Sequence, residues 1–411
     1  MTAQVFDVFR KPRFDESITK VEWRTYHPYV KSFEKNDIID ITINQADVWL
    51  AMFEGVLIVK AKLEVVGGGT GTLTHNAGAY LFESCTYELC NKELDAARYP
   101  GITSTVRGYL CYAPEDSHHL AIAGWNYPNA PILNADKTFT MNIPLKHLFS
   151  IFNDHQVATL GKQSIRLVRS RTDANSVKVV ERPSNSIQGA PLTQSSVRII
   201  IDSITLKVPH LTPNDDIKFQ LLKRVRADEP MIVAFRKWEL HELPALTQNS
   251  TTEVWSVKTC SAMESPRYIV VFFQTKKIDD IHEDVTLFDH ANIKSLRLAL
   301  NGDYYPQERV LLDFSNNQYA DAHFNYSEFN KSYQNCVQKR PLVNFSDFKT
   351  HPMFVIDCSR RSLGPKASTV DIKLEIEATT GFPAGTKAYC IIIHDQIMEH
   401  LPLSEIVRII D

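Results

Sequence analysis

The run Gly67-Gly-Gly-Thr-Gly71 has the composition of a loop that cradles phosphate. Such loops end in Gly-Lys-Ser/Thr and open a helix, because backbone N–H groups and the lysine together bind the anion. Neither that ending nor a helical pattern follows Gly71. We therefore interpret the glycines as a turn after a strand, since glycine adopts backbone angles that other residues avoid.

His118 and His119, with Glu115 and Asp116 nearby, are the strongest candidates for metal ligands. Adjacent residues of an extended chain point to opposite faces, and no third ligand stands at a spacing that suits a metal ion. The stretch is therefore interpreted as a solvated loop, and no metal or cofactor is predicted.

Two runs combine nucleophile, base and acid types, namely Asp357-Cys-Ser359 and Ile393-His-Asp395. A nucleophile needs an exposed position, an adjacent base and a third group that orients the base. Cys358 ends an apolar run and Cys390 lies inside one, so both are predicted to be core residues. No catalytic residue is assigned, and no enzyme activity is expected. The seven cysteines are odd in number and scattered, which favours reduced thiols.

Basic residues cluster at three places, but none is interleaved with aromatics as in a groove for single-stranded nucleic acid. The clusters are Arg166, Arg169 and Arg171; Lys223, Arg224 and Arg226; and Arg360 and Arg361. With a net charge of −3, the chain is not expected to bind nucleic acid strongly. We expect solvated faces or salt bridges between subunits. The sequence contains no apolar run of about 18 residues, so no membrane span is predicted.

The 411 residues exceed the size at which one core keeps growing, which favours two domains. Strand-like runs fill both halves and predict an all-β fold. In the first half they are Ile38–Ile43, Val56–Val66, Tyr80–Leu89, Thr105–Tyr112, Phe139–Ile143, Ile165–Arg169 and Val197–Val208. In the second half they are Met231–Leu240, Thr252–Thr259, Tyr268–Gln274, Ile293–Leu300, Phe354–Cys358, Val370–Ala378 and Lys387–His394.

Helical signals are few. The clearest helix follows Leu211, where Thr212 is a candidate cap and Pro213 suits the first helical position. Residues 144–152 are a second, short candidate. The polar and aromatic stretch 315–350 predicts short helices and a surface projection. The predicted organisation is an extended arm at 1–35, a first β domain at 36–211, a linker helix at 212–229 and a second β domain at 230–411.

A weak internal repeat favours duplication. Ile58 and Ile269 lie in similar apolar runs, and Asn91 and Asn301 each follow such a run and precede a Tyr-Pro step. The runs that begin at Val197 and Lys387 close the two halves.

Many short stretches, in the same order, resemble the major capsid protein of Polinton/Maverick-type and adintovirus-like elements. They are Trp23-Arg-Thr-Tyr-His-Pro28, Gly101-Ile-Thr-Ser-Thr105, Ala123-Gly-Trp125, Ile165-Arg-Leu-Val-Arg-Ser170, Val208-Pro-His-Leu211, Pro266-Arg-Tyr268, Leu312-Asp-Phe-Ser-Asn-Asn-Gln318, Val355-Ile-Asp-Cys-Ser-Arg360 and Ala388-Tyr-Cys-Ile-Ile-Ile-His-Asp395. The resemblance runs from about residue 20 to the C-terminus.

The resemblance implies a double jelly roll, in which two antiparallel jelly-roll sandwiches stand side by side with short connecting helices. It further implies a homotrimer of pseudo-hexagonal outline that tiles an icosahedral shell. The implied partners are neighbouring capsomers and a vertex (penton) protein, and the implied location is the virion, assembled inside the host cell. The aromatics at residues 1–35 and the apolar run Leu401–Ile410 are expected to contact neighbouring subunits.

Three alternatives remain open from the sequence. The first is a β-sandwich carbohydrate-binding or adhesion protein, with Trp125, Tyr127 and Tyr319 as sugar platforms at loop tips. The second is a cupin-like enzyme, which requires His and Glu clustered on one strand pair. The third is a capsid-like protein retained by a host genome.

Overall fold

The computed structural model of the chain describes residues 17–45, 47–67, 69–180, 196–260, 266–334, 340–359 and 370–410. The strands of the first half are β1 (Ile18–Tyr26), β2 (Ile38–Ile43), β3 (Trp49–Leu50), β4 (Val56–Val66), β5 (Thr70–Leu73), β6 (Phe82–Leu89), β7 (Lys92–Arg98), β8 (Thr138–Pro144), β9 (Gln163–Arg169), β10 (Val177–Val180) and β11 (Ser196–Pro213). Those of the second half are β12 (Met231–Leu243), β13 (Thr252–Cys260), β14 (Pro266–Thr275), β15 (Ile293–Leu300), β16 (Asp303–Tyr305), β17 (Phe354–Asp357), β18 (Val370–Ala378), β19 (Thr386–Leu401) and β20 (Ile406–Ile409).

The described helices are α1 (Ala77–Tyr80), α2 (Pro100–Cys111), α3 (Asp116–Leu120), α4 (Leu145–Leu148), α5 (Ile151–Asp154), α6 (Asp215–Arg226) and α7 (Ala320–Gln334). Short 3₁₀ turns occur at Met52–Glu54, Ala121–Ala123, Ala174–Ser176 and Asp347–Lys349.

The two halves have the same strand order. The first half forms antiparallel sheets β1-β11-β4-β8 and β2-β9-β6-β7, and the second forms β12-β19-β14-β17 and β13-β18-β15-β16. Setting aside the short strands β3, β5, β10 and β20, each half has eight strands. The first, eighth, third and sixth strands form one sheet, and the second, seventh, fourth and fifth form the other. This is the two-sheet jelly roll, so the predicted all-β double jelly roll is confirmed.

The sequence pattern explains which strands are covered on both faces. In β18 the side chains of Ile372, Leu374 and Ile376 are buried and alternate with charged residues, as expected for a sheet with one wet face. In β19, by contrast, residues 388–393 are all fully buried. Such a continuous apolar run requires a cover on both faces, and the second cover comes from helices at the junction of the two sandwiches.

We call this junction the seam. Helix α2 lies between the fifth and sixth strands of the first sandwich, and α7 lies at the same place in the second. The Tyr326 hydroxyl on α7 donates to the Tyr109 carbonyl on α2 at 2.7 Å, and the Asn330 amide donates to the Cys111 carbonyl at 3.0 Å. Side chains of α2 pack in the apolar core of the second sandwich, and Val233, Phe235 and Met398 of the second half pack in the core of the first. Each core is therefore built partly by the other half of the chain.

Two predictions made for these helices are wrong. The run Thr105–Tyr112, predicted as a strand, is the second half of α2, and all twelve residues of that helix are buried. A short apolar run that is covered on every side has no period that separates helix from strand. The surface projection predicted within 315–350 is instead the 15-residue helix α7, whose Tyr326, Phe329 and Tyr333 are buried in the seam.

The chain segments outside the two cores also differ from the predictions. Strand β1 pairs with β11, with Trp23 opposite Pro209, so residues 18–26 of the predicted arm belong to the first sandwich. Residues 1–16 lie outside the described residues. The linker helix begins two residues later than predicted, because β11 continues to Pro213 and the Asn214 side chain accepts from the Ile217 N–H at 2.9 Å. None of the residues of α6 is buried.

The internal repeat corresponds to equivalent positions of the two sandwiches. Ile58 and Ile269 lie in the two third strands, β4 and β14. Asn91 and Asn301 lie in the turns between the fourth and fifth strands, with φ of 62° and 52°. Left-handed backbone of this kind suits tight hairpins, and Asn tolerates it better than most residues. The two halves therefore repeat one topology and one turn position.

The packing of Gly108 against Trp125 generates a stability prediction. A Cβ added at Gly108 on α2 would overlap the buried indole of Trp125. Helix propensity alone would make Gly108→Ala stabilising by about 1 kcal/mol. Overpacking costs about 1–3 kcal/mol, so we expect a net loss of stability in denaturant unfolding. Gly108→Ala should cost less stability in a Trp125→Leu background than in the wild type, because the smaller side chain leaves room for the added Cβ. Purely additive effects of the two substitutions would contradict this origin.

Candidate functional surfaces

In the described part of the chain, neither the glycine run nor the histidine pair belongs to a ligand site. Gly67 follows β4 and Gly71 lies within β5, so the turn after β4 leads into a strand and not into a helix. Glu115 and Asp116 begin helix α3, so the predicted loop at 115–119 is wrong; the Asp116 carboxylate accepts from the Ala113 N–H at 2.9 Å. Within the described part of the chain, no three His, Cys, Asp or Glu side chains stand close enough to hold a metal ion.

The candidate nucleophiles lie in the core, as predicted. Cys358 and Cys390 are buried, and burial raises the pKa of the Cys390 thiol. A thiol with a raised pKa is protonated at neutral pH and is a poor nucleophile. His394 bonds the Asp395 carbonyl at 3.2 Å, and burial lowers the pKa of its imidazole. Cys85, Cys90 and Cys390 are free thiols.

The first basic cluster makes ion pairs within the chain. Arg166 donates to Asp40 at 2.8 Å, Arg169 forms a buried pair with Asp173, and Arg171 pairs with Asp279 at 3.0 Å. The last of these pairs crosses the seam. The expectation of a solvated face is therefore wrong for Arg169, which is buried, whereas the side chains of Arg166 and Arg171 are 49% and 69% exposed. Arg224 on α6 lies 3.6 Å from Glu229, while Arg360 and Arg361 lie outside the described residues.

The aromatics proposed as sugar platforms are covered. Trp125 is 0% exposed and Tyr319 is 2% exposed, and Tyr127 is partly buried against Tyr109 and His351. A sugar platform must present a ring face to solvent, so Trp125 and Tyr319 cannot serve as one.

The seam is strengthened by an ion pair between the halves. The Arg236 guanidinium on β12 donates to both carboxylate oxygens of Asp154 on α5, at 2.9 and 2.6 Å. It also donates to the Tyr333 carbonyl and lies 3.6 Å from the centre of the Tyr333 ring. Two-point pairing of this kind fixes orientation as well as distance. The pair therefore holds α5, β12 and α7 in one arrangement.

A cluster of buried histidines lies beside α2. His147 donates from Nε2 to the Asn76 side-chain oxygen at 2.8 Å and accepts at Nδ1 from the Tyr112 hydroxyl at 2.9 Å. His75 accepts at Nδ1 from the Asn126 N–H at 3.2 Å, and its ring centre is 4.1 Å from that of Trp125. Both arrangements suit a neutral ring, since a protonated ring has no acceptor nitrogen.

The pKa of both rings is lowered to about 3, chiefly by burial, and the neighbouring His147 and His351 rings contribute to the lowering for His75. For His147 the second cause is the Arg107 guanidinium. These pKa values keep both histidines neutral across the physiological range.

Two apolar patches lie on the outer face of equivalent sheets. The first-half patch consists of Val21 and Trp23 on the edge strand β1, each 49% exposed. The second-half patch consists of Ile232 on β12, Ile397 on β19 and Ile410, whose N–H donates to the Ile397 carbonyl. Exposed apolar groups that cluster in this way mark contact surfaces.

Two jelly rolls of one topology, packed against each other in one chain, define a double jelly-roll protein. A family profile described as "Double jelly roll-like domain" matches residues 72–398, and the chain belongs to that family. The family is a structural one without enzymatic activity. No curated protein matches the sequence.

Solved structures share the fold at low sequence identity. A chain of the Sputnik virophage matches with a TM-score of 0.65 and 11% identity over 97% of this chain and 90% of that one. The Faustovirus major capsid protein matches with a TM-score of 0.58 and 10% identity over 95% and 92%. The mavirus major capsid protein matches with a TM-score of 0.56 and 9% identity over 98% and 92%. The fold is therefore that of viral major capsid proteins. None of the described helices is long and apolar enough to span a membrane.

The buried histidines predict acid sensitivity. Their folded pKa of about 3 lies below the ordinary value of 6.5, so below pH 6.5 the unfolded chain binds more protons than the folded one. Their contribution to stability is complete above pH 6.5 and is lost as pH falls towards 3, by about 1.4 kcal/mol per pH unit for each histidine. Between pH 3 and pH 6.5, His147→Gln should reduce the slope of the unfolding free energy against pH by the amount that corresponds to about one bound proton. The control, His27→Gln on the surface, should not. Equal slopes for all three proteins would contradict this role.

Proposed function

We propose that the chain is a major capsid protein that assembles as homotrimers, and that these trimers tile an icosahedral shell. The observation that carries the proposal is the repetition of one jelly-roll topology in a single chain whose fold is shared with viral major capsid proteins. Three such chains around a threefold axis bring six similar sandwiches together. The outline of the trimer is then close to hexagonal, the shape that tiles a curved sheet.

The trimer contact that we propose is heterologous. The first-half patch of one copy packs on the second-half patch of the next, because both lie on the outer faces of equivalent sheets. A heterologous contact closes into a ring when the rotation that relates neighbouring copies is a whole-number fraction of 360°. The rigid seam fixes that rotation, since it holds the two sandwiches of one chain at a single angle.

The finer identity rests on the resemblance to Polinton/Maverick-type and adintovirus-like elements. Two of the stretches that carry it meet in the seam, since Gly101–Thr105 lies on α2 and Trp125 packs against Gly108 of the same helix. The proposed partners are neighbouring capsomers and a vertex (penton) protein. The proposed location is the virion shell, assembled inside the host cell.

The oligomeric state of the purified protein tests the proposal. Three chains of 46.8 kDa give a particle of about 140 kDa. We expect that mass by light scattering after gel filtration, and three-lobed or hexagonal outlines by negative-stain microscopy. Closed shells would also support the proposal, while a stable monomer at high concentration would overturn it.

Trp23 provides the matched mutational test. Trp23→Glu places a charge in the first-half patch, and a buried aromatic at an interface commonly contributes about 2 kcal/mol or more. We expect the dissociation constant of the trimer to rise at least tenfold, and the circular dichroism spectrum to stay unchanged because the fold is retained. Ile132→Glu is the control, because Ile132 is 81% exposed in the loop before β8, at the opposite edge of the same sheet. Equal effects of the two substitutions would place the trimer contact elsewhere.

A further inference from the structure

A cleft of about 840 Å³ lies at the seam, between α2 and α5 of the first sandwich and the strands β12, β14 and β19 of the second. Three guanidinium groups line it, those of Arg107, Arg236 and Arg267, against two carboxylates, those of Asp154 and Asp395. Arg236 pairs with Asp154, and Arg267 pairs with Asp395. One cation therefore has no counter-charge within the cleft lining.

The unmatched cation is Arg107. Its residue is 2% exposed, and its Nη2 donates to the His147 carbonyl. Its Nε has no hydrogen-bond partner among the described residues, and its guanidinium carbon lies 5.9 Å from the Trp238 ring centre. A buried charge without a paired anion is costly to the folded state. Arg107, which carries this unsatisfied donor, lines the same cleft as Arg267.

We propose that this cleft binds an oxyanion, either a carboxylate or a phosphate, through the guanidinium groups of Arg107 and Arg267. Planar guanidinium groups recognise carboxylate and phosphate oxygens with paired, charge-assisted hydrogen bonds. The volume of the cleft falls in the range of ligand sites in proteins. Ile397 belongs both to the cleft lining and to the second-half patch. The oxyanion is therefore either free in solution or supplied by an acidic side chain of a second copy seated on that patch.

The probe is inorganic phosphate, with chloride at matched ionic strength as the reference. We expect phosphate to raise the melting temperature progressively, and calorimetry to show one site per chain, in the wild type if the site serves a free anion and in Trp23→Glu if a neighbouring copy fills it. Arg267→Gln should weaken phosphate binding about tenfold, as expected for the loss of a charge-assisted contact. The control is Arg309→Gln, because Arg309 is also 49% exposed and pairs with a carboxylate, that of Glu377, outside the cleft. The control should bind phosphate as the wild type does.

The trimer-disrupting variant Trp23→Glu distinguishes the two sources. A site that serves a free anion binds phosphate in both the wild type and this variant. A site filled by a neighbour's carboxylate binds phosphate only in the variant, because dissociation empties it. Both patterns support an oxyanion site. The second rests on the proposed trimer, whereas the first holds whether or not the trimer forms.

Two results would overturn the proposal. The first is no effect of phosphate beyond chloride on either protein, and the second is equal loss of binding in Arg267→Gln and Arg309→Gln.

Discussion

The contact between α2 and α7 is the constraint on which the rest of the structure depends. The second sandwich alone would expose one face of its first-eighth-third-sixth sheet, and that face includes alternate residues of the fully buried run 388–393. Burial of apolar surface contributes about 25 cal/mol per Å², so the second sandwich gains much of its stability from helices that belong partly to the first. Polar contacts then select one orientation, since Arg236 satisfies Asp154 and Tyr333 only in this arrangement.

The proposed function depends on that fixed orientation. A protein that works by tiling needs flanks held at constant angles, because small errors at each contact accumulate around a closed shell. In the proposed trimer, the seam supplies this constancy within the chain, and the exposed patches on β1 and on β12–β19 are the proposed contact surfaces at equivalent positions of the two sandwiches. The buried histidines beside α2 stay neutral at physiological pH, because burial lowers the pKa of their rings.

The sequence predicted the sheets well and the seam poorly. Alternating or continuous apolar runs mark strands directly, so β2, β4, β15 and β18 have the predicted limits. Helix α2 was mistaken for a strand because all its faces are covered, and α7 was taken for a projection because its tyrosines and asparagines look polar. Their burial depends on contacts between residues more than 200 positions apart, such as Tyr326 with Tyr109. The pairing of β1 was missed for the same reason, because its partner lies in β11. Gly108 opposite Trp125 is the one signal in the sequence that could have indicated close helix packing.

Cutting the linker tests most directly whether the seam joins the two sandwiches. Helix α6 has no buried residue, so a protease site placed around Phe219 can be cleaved without disturbing either core. If the seam holds the chain together, the two fragments will stay associated during gel filtration and will unfold in one calorimetric transition, as the uncut protein does. Fragments that separate, or that melt in two independent transitions, would show that the sandwiches are joined only by the linker, and would contradict the account.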